Sequence, residues 1–323
     1  MHMNTNKNGL YPLILKPIIK NYIWGGRRLE KLAGLQAGTD ATVPIAEAWI
    51  VYEENLVLNG ALAGQTLGSL AQNFGPELLG SQGGRKQPDR FPLLIKLMDC
   101  KQWLSVQVHP DDEQARRLEG PQSSGKTEAW YILDAQPATR LIAGIKPEIS
   151  RELLAASIRQ GKIMDLVQYH DIQAEDVLFM VPGTIHALGP GAFVYEIQQS
   201  SDITYRVYDW DRPRIPGRDL HIEKSIEVAR PDAPFKFIRK QTGSDRLVEC
   251  PYFNLEAVAD QDGSFEADTS GRSFHALTVT AGEAMVSCGE FSQELAPCET
   301  VFIPAVCGKY SITGRFRLLR ATM

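Results

Sequence analysis

The stretch LSVQVHPDD, residues 104–112, sets Gln107 and His109 two residues apart along a run that also holds Leu104, Val106 and Val108. Residues two apart on an extended chain share a face, so an amide oxygen and an imidazole would emerge side by side. GKTEAWYIL repeats the device with Lys126 and Glu128, an ammonium and a carboxylate. In VPGTIHAL, Pro182 and Gly183 close one strand and deliver His186 from the turn. YEIQQSSDITYRVYD then spreads Glu196, Asp202 and Arg206 along an extended segment. Gln107, His109, Glu128 and His186 together make a donor set of two nitrogens and two oxygens, which suits zinc well and iron, manganese or nickel tolerably. A single carboxylate against a dication leaves the ion positive enough to act as a Lewis acid toward a hydroxyl or carbonyl oxygen.

Plainer readings stand beside these. Ser105, Gln107 and His109 could be the wet face of a half-buried strand, Lys126 and Glu128 a surface ion pair, and Arg206 with Asp209 or Asp211 an exposed charged strand end. Lys96 and Arg212, taken alone, read the same way. Asp111 and Asp112 fit the cap of the following EQARRLEG segment. His170, His221 and His275 have no liganding neighbours in sequence and are assigned to structure or surface, His2 to a polar tail, and the five tryptophans to core or pocket wall.

The elements that must position these groups are mostly strands. LILKPII, EAWIVY, FPLLIKLM, EAWYIL, VLFMVP, FVYEIQ and ITYRVYDW are rich in β-branched and aromatic residues and are punctuated by Gly, Pro and Asp. Helical periodicity is confined to a few runs: TLGSLAQNFG at 66–75, SRELLAASIRQG at 150–161 with Ser150 as its cap, and LHIEKSIEVA at 220–229. RPDAPF follows the last of these and places a domain boundary near residue 235. The expected organisation is a metal-binding β domain with helical segments over 1–235 and a smaller all-β domain without metal ligands over 236–323. EDVLFMVPGTIHAL at 175–188 and CETVFIPAVCGKYSI at 298–312 echo one another as acidic residue, apolar strand and proline. Gly308 stands in the second copy where His186 stands in the first, so metal chemistry belongs to the first.

LSVQVHPDD, GKTE, VPGTIHAL and TYRVYDWDR, in this order, resemble the type I mannose-6-phosphate isomerase (phosphomannose isomerase) family in its short bacterial form. The resemblance runs over most of residues 12–230, from WGGRRL and AEAWIVY to LHIEKSIEV. It implies a cupin-type jelly-roll fold and interconversion of mannose 6-phosphate and fructose 6-phosphate with one zinc ion per chain. It further implies that Gln107, His109, Glu128 and His186 bind the metal, that Arg206 is the active-site arginine, and that Lys96, Ser105 and Lys126 line the sugar phosphate pocket. Glu196 and Asp202 fall at the places of the proton-transfer carboxylates. Larger relatives carry an acid directly before the N-terminal tryptophan, where this chain has Ile23 before Trp24.

An aldose–ketose isomerisation moves a proton between C2 and C1 through an enediol. Glu196 or Asp202 could take it, or Lys126 with a depressed pKa. Arg206 could stabilise the developing charge, and the phosphate could be held by Lys96, Arg206, Arg212 and Ser105. The alternatives are a metal-cupin isomerase for another sugar or sugar phosphate, and a non-catalytic cupin that binds a sugar phosphate.

The bulk properties are compatible with this. A net charge of −5 over 323 residues gives no reason to expect nucleic acid, and the 43% hydrophobic content is that of an ordinary globular chain. No apolar run approaches a membrane span or a signal peptide. The five cysteines are scattered without a C-x-x-C pair, which suggests reduced thiols in a cytoplasmic protein. A small sugar phosphate is the expected partner, with no membrane partner, and the chain is expected to be a monomer or homodimer.

Overall fold

The computed structural model describes residues 9–32, 44–83, 90–213, 216–239, 246–260 and 263–323; His2 lies outside them. The molecule is mainly β, as expected, and its strands form two pairs of antiparallel sheets. In the first pair, a seven-stranded sheet runs in the order Phe235–Ile238, Val177–Met180, Glu128–Ala135, Ala192–Gln199, Leu93–Asp99, Glu47–Val51, Ile18–Lys20. It faces a five-stranded sheet of Tyr205–Tyr208, Val106–Val108, His186–Leu188, Arg140–Ile145 and Val167–Asp171. The second pair, six and four strands, is built from the C-terminal region with one addition: Leu13–Ile14 pairs with Thr300–Ile303 at the edge of the six-stranded sheet. The strand Phe235–Ile238, at the boundary expected near residue 235, belongs to the seven-stranded sheet of the first pair, and the second jelly roll takes a strand from the segment Leu13–Ile14.

Strands Leu93–Asp99 and Ala192–Gln199 are buried along their whole length, because both faces of the seven-stranded sheet are covered. One face, with Leu93, Ile95, Leu97, Ala129, Tyr131 and Tyr195, packs on Phe253, Ala276, Phe302 and Leu319 of the second jelly roll. The other face looks into the first jelly roll. Trp130, Ile132, Met98 and Val194 there meet Leu141, Ala143 and Leu188 of the five-stranded sheet. Alternation puts Lys96, Glu128 and Glu196 on this inner face as well, so three ionisable groups enter the interior from three strands.

The outer face of the five-stranded sheet is covered by two helices. Val106, Val108, Ile142, Ala187 and Val207 pack there with Leu154 and Ile158 of helix Arg151–Arg159 and Val228 of helix Ile222–Val228. Gln107, His186 and Arg206 consequently point inward. The cap expected at Ser150 is present, its hydroxyl accepting the Leu153 N–H at 3.2 Å. Helix Leu67–Phe74 is capped by Thr66 in the same way. The strand expected over 104–109 is shorter, Val106–Val108, and Leu104 joins the inner core instead of sharing a face with the valines.

The echo between the two halves extends to topology. Val177–Met180 lies beside Glu128–Ala135 in the seven-stranded sheet as Thr300–Ile303 lies beside His275–Gly282 in the six-stranded one. Glu128 opens its strand opposite Met180, and His275 opens its strand opposite Ile303, each pairing with the last residue of the neighbouring strand.

Candidate active site

His109, Glu128 and His186 converge in the interior of the first jelly roll, their donor atoms all within 4.8 Å of one another and each residue at most 2% exposed. Among the described residues no other cluster of three or more His, Cys, Asp or Glu side chains could hold a metal. His109 Nδ1 lies 2.8 Å from the carbonyl of Ile203, and His186 Nδ1 lies 2.9 Å from that of Thr184. A carbonyl can only accept, so both rings carry their proton on Nδ1 and turn a bare Nε2 inward. The His186 Nε2 stands 2.9 Å and the His109 Nε2 3.5 Å from the Glu128 carboxylate. Lone pairs thus face lone pairs: neither Nε2 has a hydrogen-bond partner, and the Glu128 carboxylate, without a hydrogen bond, is met only by the Lys126 ammonium beside Oε2. Four buried acceptors aimed at one point need a cation among them. Gln107 is the cross-strand partner of His186 and lies on the same inner face.

Electrostatics keep the cluster ready for a cation. Burial, followed by the Lys126 ammonium, holds the His109 imidazole well below its ordinary range, so the ring is neutral. Burial alone would raise the Glu128 carboxyl, but Lys126, with Nζ 3.0 Å from Oε2, and the two histidines together more than offset it and hold the group well below its ordinary range.

Gln107 and Lys126 also line the wall of a cavity of about 500 Å³, and the Lys126–Glu128 pair sets the cluster next to that wall. On one side Glu196 is fixed by the Trp130 indole N–H at 2.8 Å and by Lys96 Nζ at 3.0 Å. Burial would lower the Lys96 pKa, but Glu196, Glu47 and Asp202 more than offset this and hold it above its ordinary value, so Lys96 is a fixed cation and not a base. Asp202 is exposed at the cavity wall. On the other side Arg206 donates from Nε to the Ser105 hydroxyl at 3.2 Å and from Nη1 to the Asp219 carbonyl at 3.0 Å. Burial, then the nearby Arg218, lowers the Arg206 pKa: two guanidiniums face one another across this part of the wall.

A family model described as "Phosphomannose isomerase type I, catalytic domain" matches residues 13–136. The Bacillus subtilis mannose-6-phosphate isomerase ManA is 34% identical over 94% of this chain and 96% of its own length. The Streptococcus mutans mannose-6-phosphate isomerase is 39% identical over 95% of this chain and 97% of its own. The chain belongs to the type I phosphomannose isomerase family. A crystal structure of the mannose 6-phosphate isomerase from Bacillus subtilis superposes with a TM-score of 0.85 and 31% identity, covering 97% of this chain and all of that one.

For this isomerase the sequence reading and the structure can be compared residue by residue. Lys96, Ser105, Gln107, Lys126, Glu196, Asp202 and Arg206 all reach the cavity, while His109, Glu128 and His186 are buried and do not line it, Glu128 lying 3.0 Å from Lys126. Arg212 does not. Its guanidinium is bound to Asp209 at 3.0 Å, to the Trp103 carbonyl at 2.6 Å and to Gln102. The reason is the backbone at Trp210 and Asp211, both in the left-handed region at φ 57° and 52°, which turns the chain back across Trp103. Arg218 takes the place on the wall, oriented by two 2.7 Å bonds to Asp209.

Glu47, Tyr22 and His221 also line the cavity without having been singled out for it. His221 Nδ1 accepts the Arg206 backbone N–H at 3.2 Å, so the residue assigned to structure or surface stands at the site and holds the arginine strand. Ile23, at the place of the relatives' acid, is 41% exposed at the cavity mouth. Among the described residues no helix is long and apolar enough to cross a membrane.

Proposed function

We propose that this isomerase interconverts mannose 6-phosphate and fructose 6-phosphate through an enediol, using one zinc ion per chain held by His109, Glu128, His186 and Gln107. The observation that carries the reading is the meeting of two bare imidazole nitrogens with an ionised carboxylate, all buried, next to a cavity lined by Lys96, Lys126, Arg206 and Arg218. A set of nitrogen and oxygen donors without thiolate suits a catalytic zinc with room for an exogenous ligand. When bound, the ion supplies Lewis-acid stabilisation to the sugar oxygens.

This chain's own residues supply the rest. Arg206 and Arg218 leave positive charge facing the cavity beside the Ser105 hydroxyl, an arrangement that fits a phosphate better than a neutral sugar end. Glu196 is the carboxylate placed to move the proton between C1 and C2, because Trp130 and Lys96 fix its orientation against the cavity. Asp202, at the exposed rim, is placed to exchange protons with solvent. Lys126 lines the cavity with Nζ 3.0 Å from Glu128 and can donate to a sugar oxygen.

A coupled assay with mannose 6-phosphate before chelation, after chelation and after zinc return tests the proposal. Activity should vanish with the metal and come back with it. Zinc-loaded protein without turnover would favour a sugar phosphate sensor instead. A monomer or homodimer in the cytoplasm is the expected setting.

A further inference from the structure

The contact between the two jelly rolls reaches the metal cluster through one carboxylate. Asp112 opens helix Asp112–Glu119, but the cap of that helix is made by Asp111, whose side chain accepts from Gln114 in a capping box. Asp112 directs its oxygens elsewhere. Oδ1 accepts the Gly125 N–H at 2.8 Å and the Gln199 side-chain amide at 3.0 Å, and Oδ2 accepts the Tyr252 hydroxyl at 2.8 Å. Gln199 carries the chain of bonds onward, its Oε1 accepting the Thr127 N–H at 2.9 Å. Gly125 and Thr127 flank Lys126 and lead directly into Glu128, while Gln199 ends the strand that bears Glu196. Asp112 itself is three residues beyond His109. A single carboxylate thus ties together the segments that deliver His109, Lys126 with Glu128, and Glu196. Tyr252 comes from the other jelly roll, in the turn between Arg246–Glu249 and Asn254–Asp260.

We propose that Asp112 is a positioning residue for the metal cluster, and that Tyr252 completes it, so that the C-terminal jelly roll fixes the geometry of a site to which it contributes no ligand. The hydroxyl restricts which way the carboxylate can turn, and the carboxylate holds the Gly125–Thr127 backbone at the depth where Glu128 meets both imidazoles. Orienting contacts of this type commonly change metal affinity or activity by about 10- to 100-fold.

The zinc part of the test rests on the metal-dependent reading above, and a second readout is independent of it. Tyr252→Phe and Asp112→Asn are compared with the unaltered chain in two measurements: zinc affinity by competition with a chelator, and amide hydrogen exchange of the segment 124–128 in metal-free protein. Both variants should weaken zinc binding by about tenfold and speed exchange at Gly125 and Thr127 by a similar factor. In the assay they should lower kcat with little change in KM. Exchange at 124–128 unchanged in either variant would overturn the proposal whatever the metal or substrate proves to be; unchanged zinc affinity in a zinc-binding protein would do so too. Arg317→Gln supplies the control, since Arg317 pairs with Glu175 across the same interface away from the cluster. It should lower the thermal midpoint while leaving both readouts at their original values. If it moves them as far as Tyr252→Phe does, any loosening of the interface suffices and Asp112 has no special place.

Discussion

Ile203 and Thr184 orient the two imidazoles through carbonyl oxygens alone. Their side chains are irrelevant to that task, so no residue type marks it in the sequence. The donors themselves are legible because their spacing is local: a two-residue step on a strand fixes Gln107 against His109, and Lys126 against Glu128, whatever the rest of the chain does. Glu196 is legible as a carboxylate but not as a clamped one, since Trp130 and Lys96 arrive from two other strands. That clamp carries a prediction. Glu196→Gln keeps the shape and both neighbours but cannot take a proton, so kcat should fall by roughly 10²–10⁴ while zinc content stays at that of the unaltered protein. A variant with kcat within a factor of three would move the proton transfer to Asp202 or another group; zinc loss would show that Glu196 supports the metal cluster instead.

At the scale of elements, GKTE is held by a very close approach. A Cβ on Gly125 would lie 2.5 Å from the carbonyl carbon of Asp111 and 2.6 Å from the Asp112 nitrogen. Those are backbone atoms at the start of a helix, and they cannot swing aside as a side chain could. Gly125→Ala should therefore lower unfolding free energy by about 1–3 kcal/mol and weaken zinc binding, measured by urea denaturation and by metal titration. Retention of both would mean that the helix start is free to shift. The same scale explains why Arg212 and Arg218 exchange places between sequence and structure. Two successive left-handed residues, Trp210 and Asp211, reverse the chain direction, and neither residue type announces such a conformation as glycine would. The helices at 67–74 and 151–159 were readable because an apolar stripe and a capping hydroxyl coincide in each; His221 was not, because its role is to receive an N–H from a strand fifteen residues away in sequence.

Across the whole molecule, the two jelly rolls share a plan but diverge at the centre. The first opens one central strand with Glu128, while the second opens one with His275, whose Nδ1 lies 2.7 Å from the Tyr310 hydroxyl. Burial, followed by Arg320, lowers the His275 pKa to about 4 from the model-peptide value of 6.5. Below pH 6.5 the unfolded chain takes up a proton that the folded chain refuses. The stability His275 allows is therefore fully present above pH 6.5, falls as pH drops toward 4, and levels off beneath that, a loss on the order of 2–3 kcal/mol. Urea midpoints of the unaltered chain and His275→Gln at pH 7.5 and pH 4.5 should show the variant losing less stability on acidification. Equal losses would place the acid sensitivity elsewhere. The doubling of the β module was visible in the strand-and-proline echo, but the burial of His275 was not, since its Tyr310 partner lies on a distant strand.

The strand Leu13–Ile14 adds a constraint of order. Its partner, Thr300–Ile303, is made when nearly all of the chain has already left the ribosome. The second jelly roll takes the strand at this sheet edge from a segment far earlier in sequence, so the pairing closes a long loop of chain. A separately expressed C-terminal half would present that bare edge to solvent, open to pairing with another copy. The segment Leu13–Ile14 therefore works as a built-in stopper for that edge.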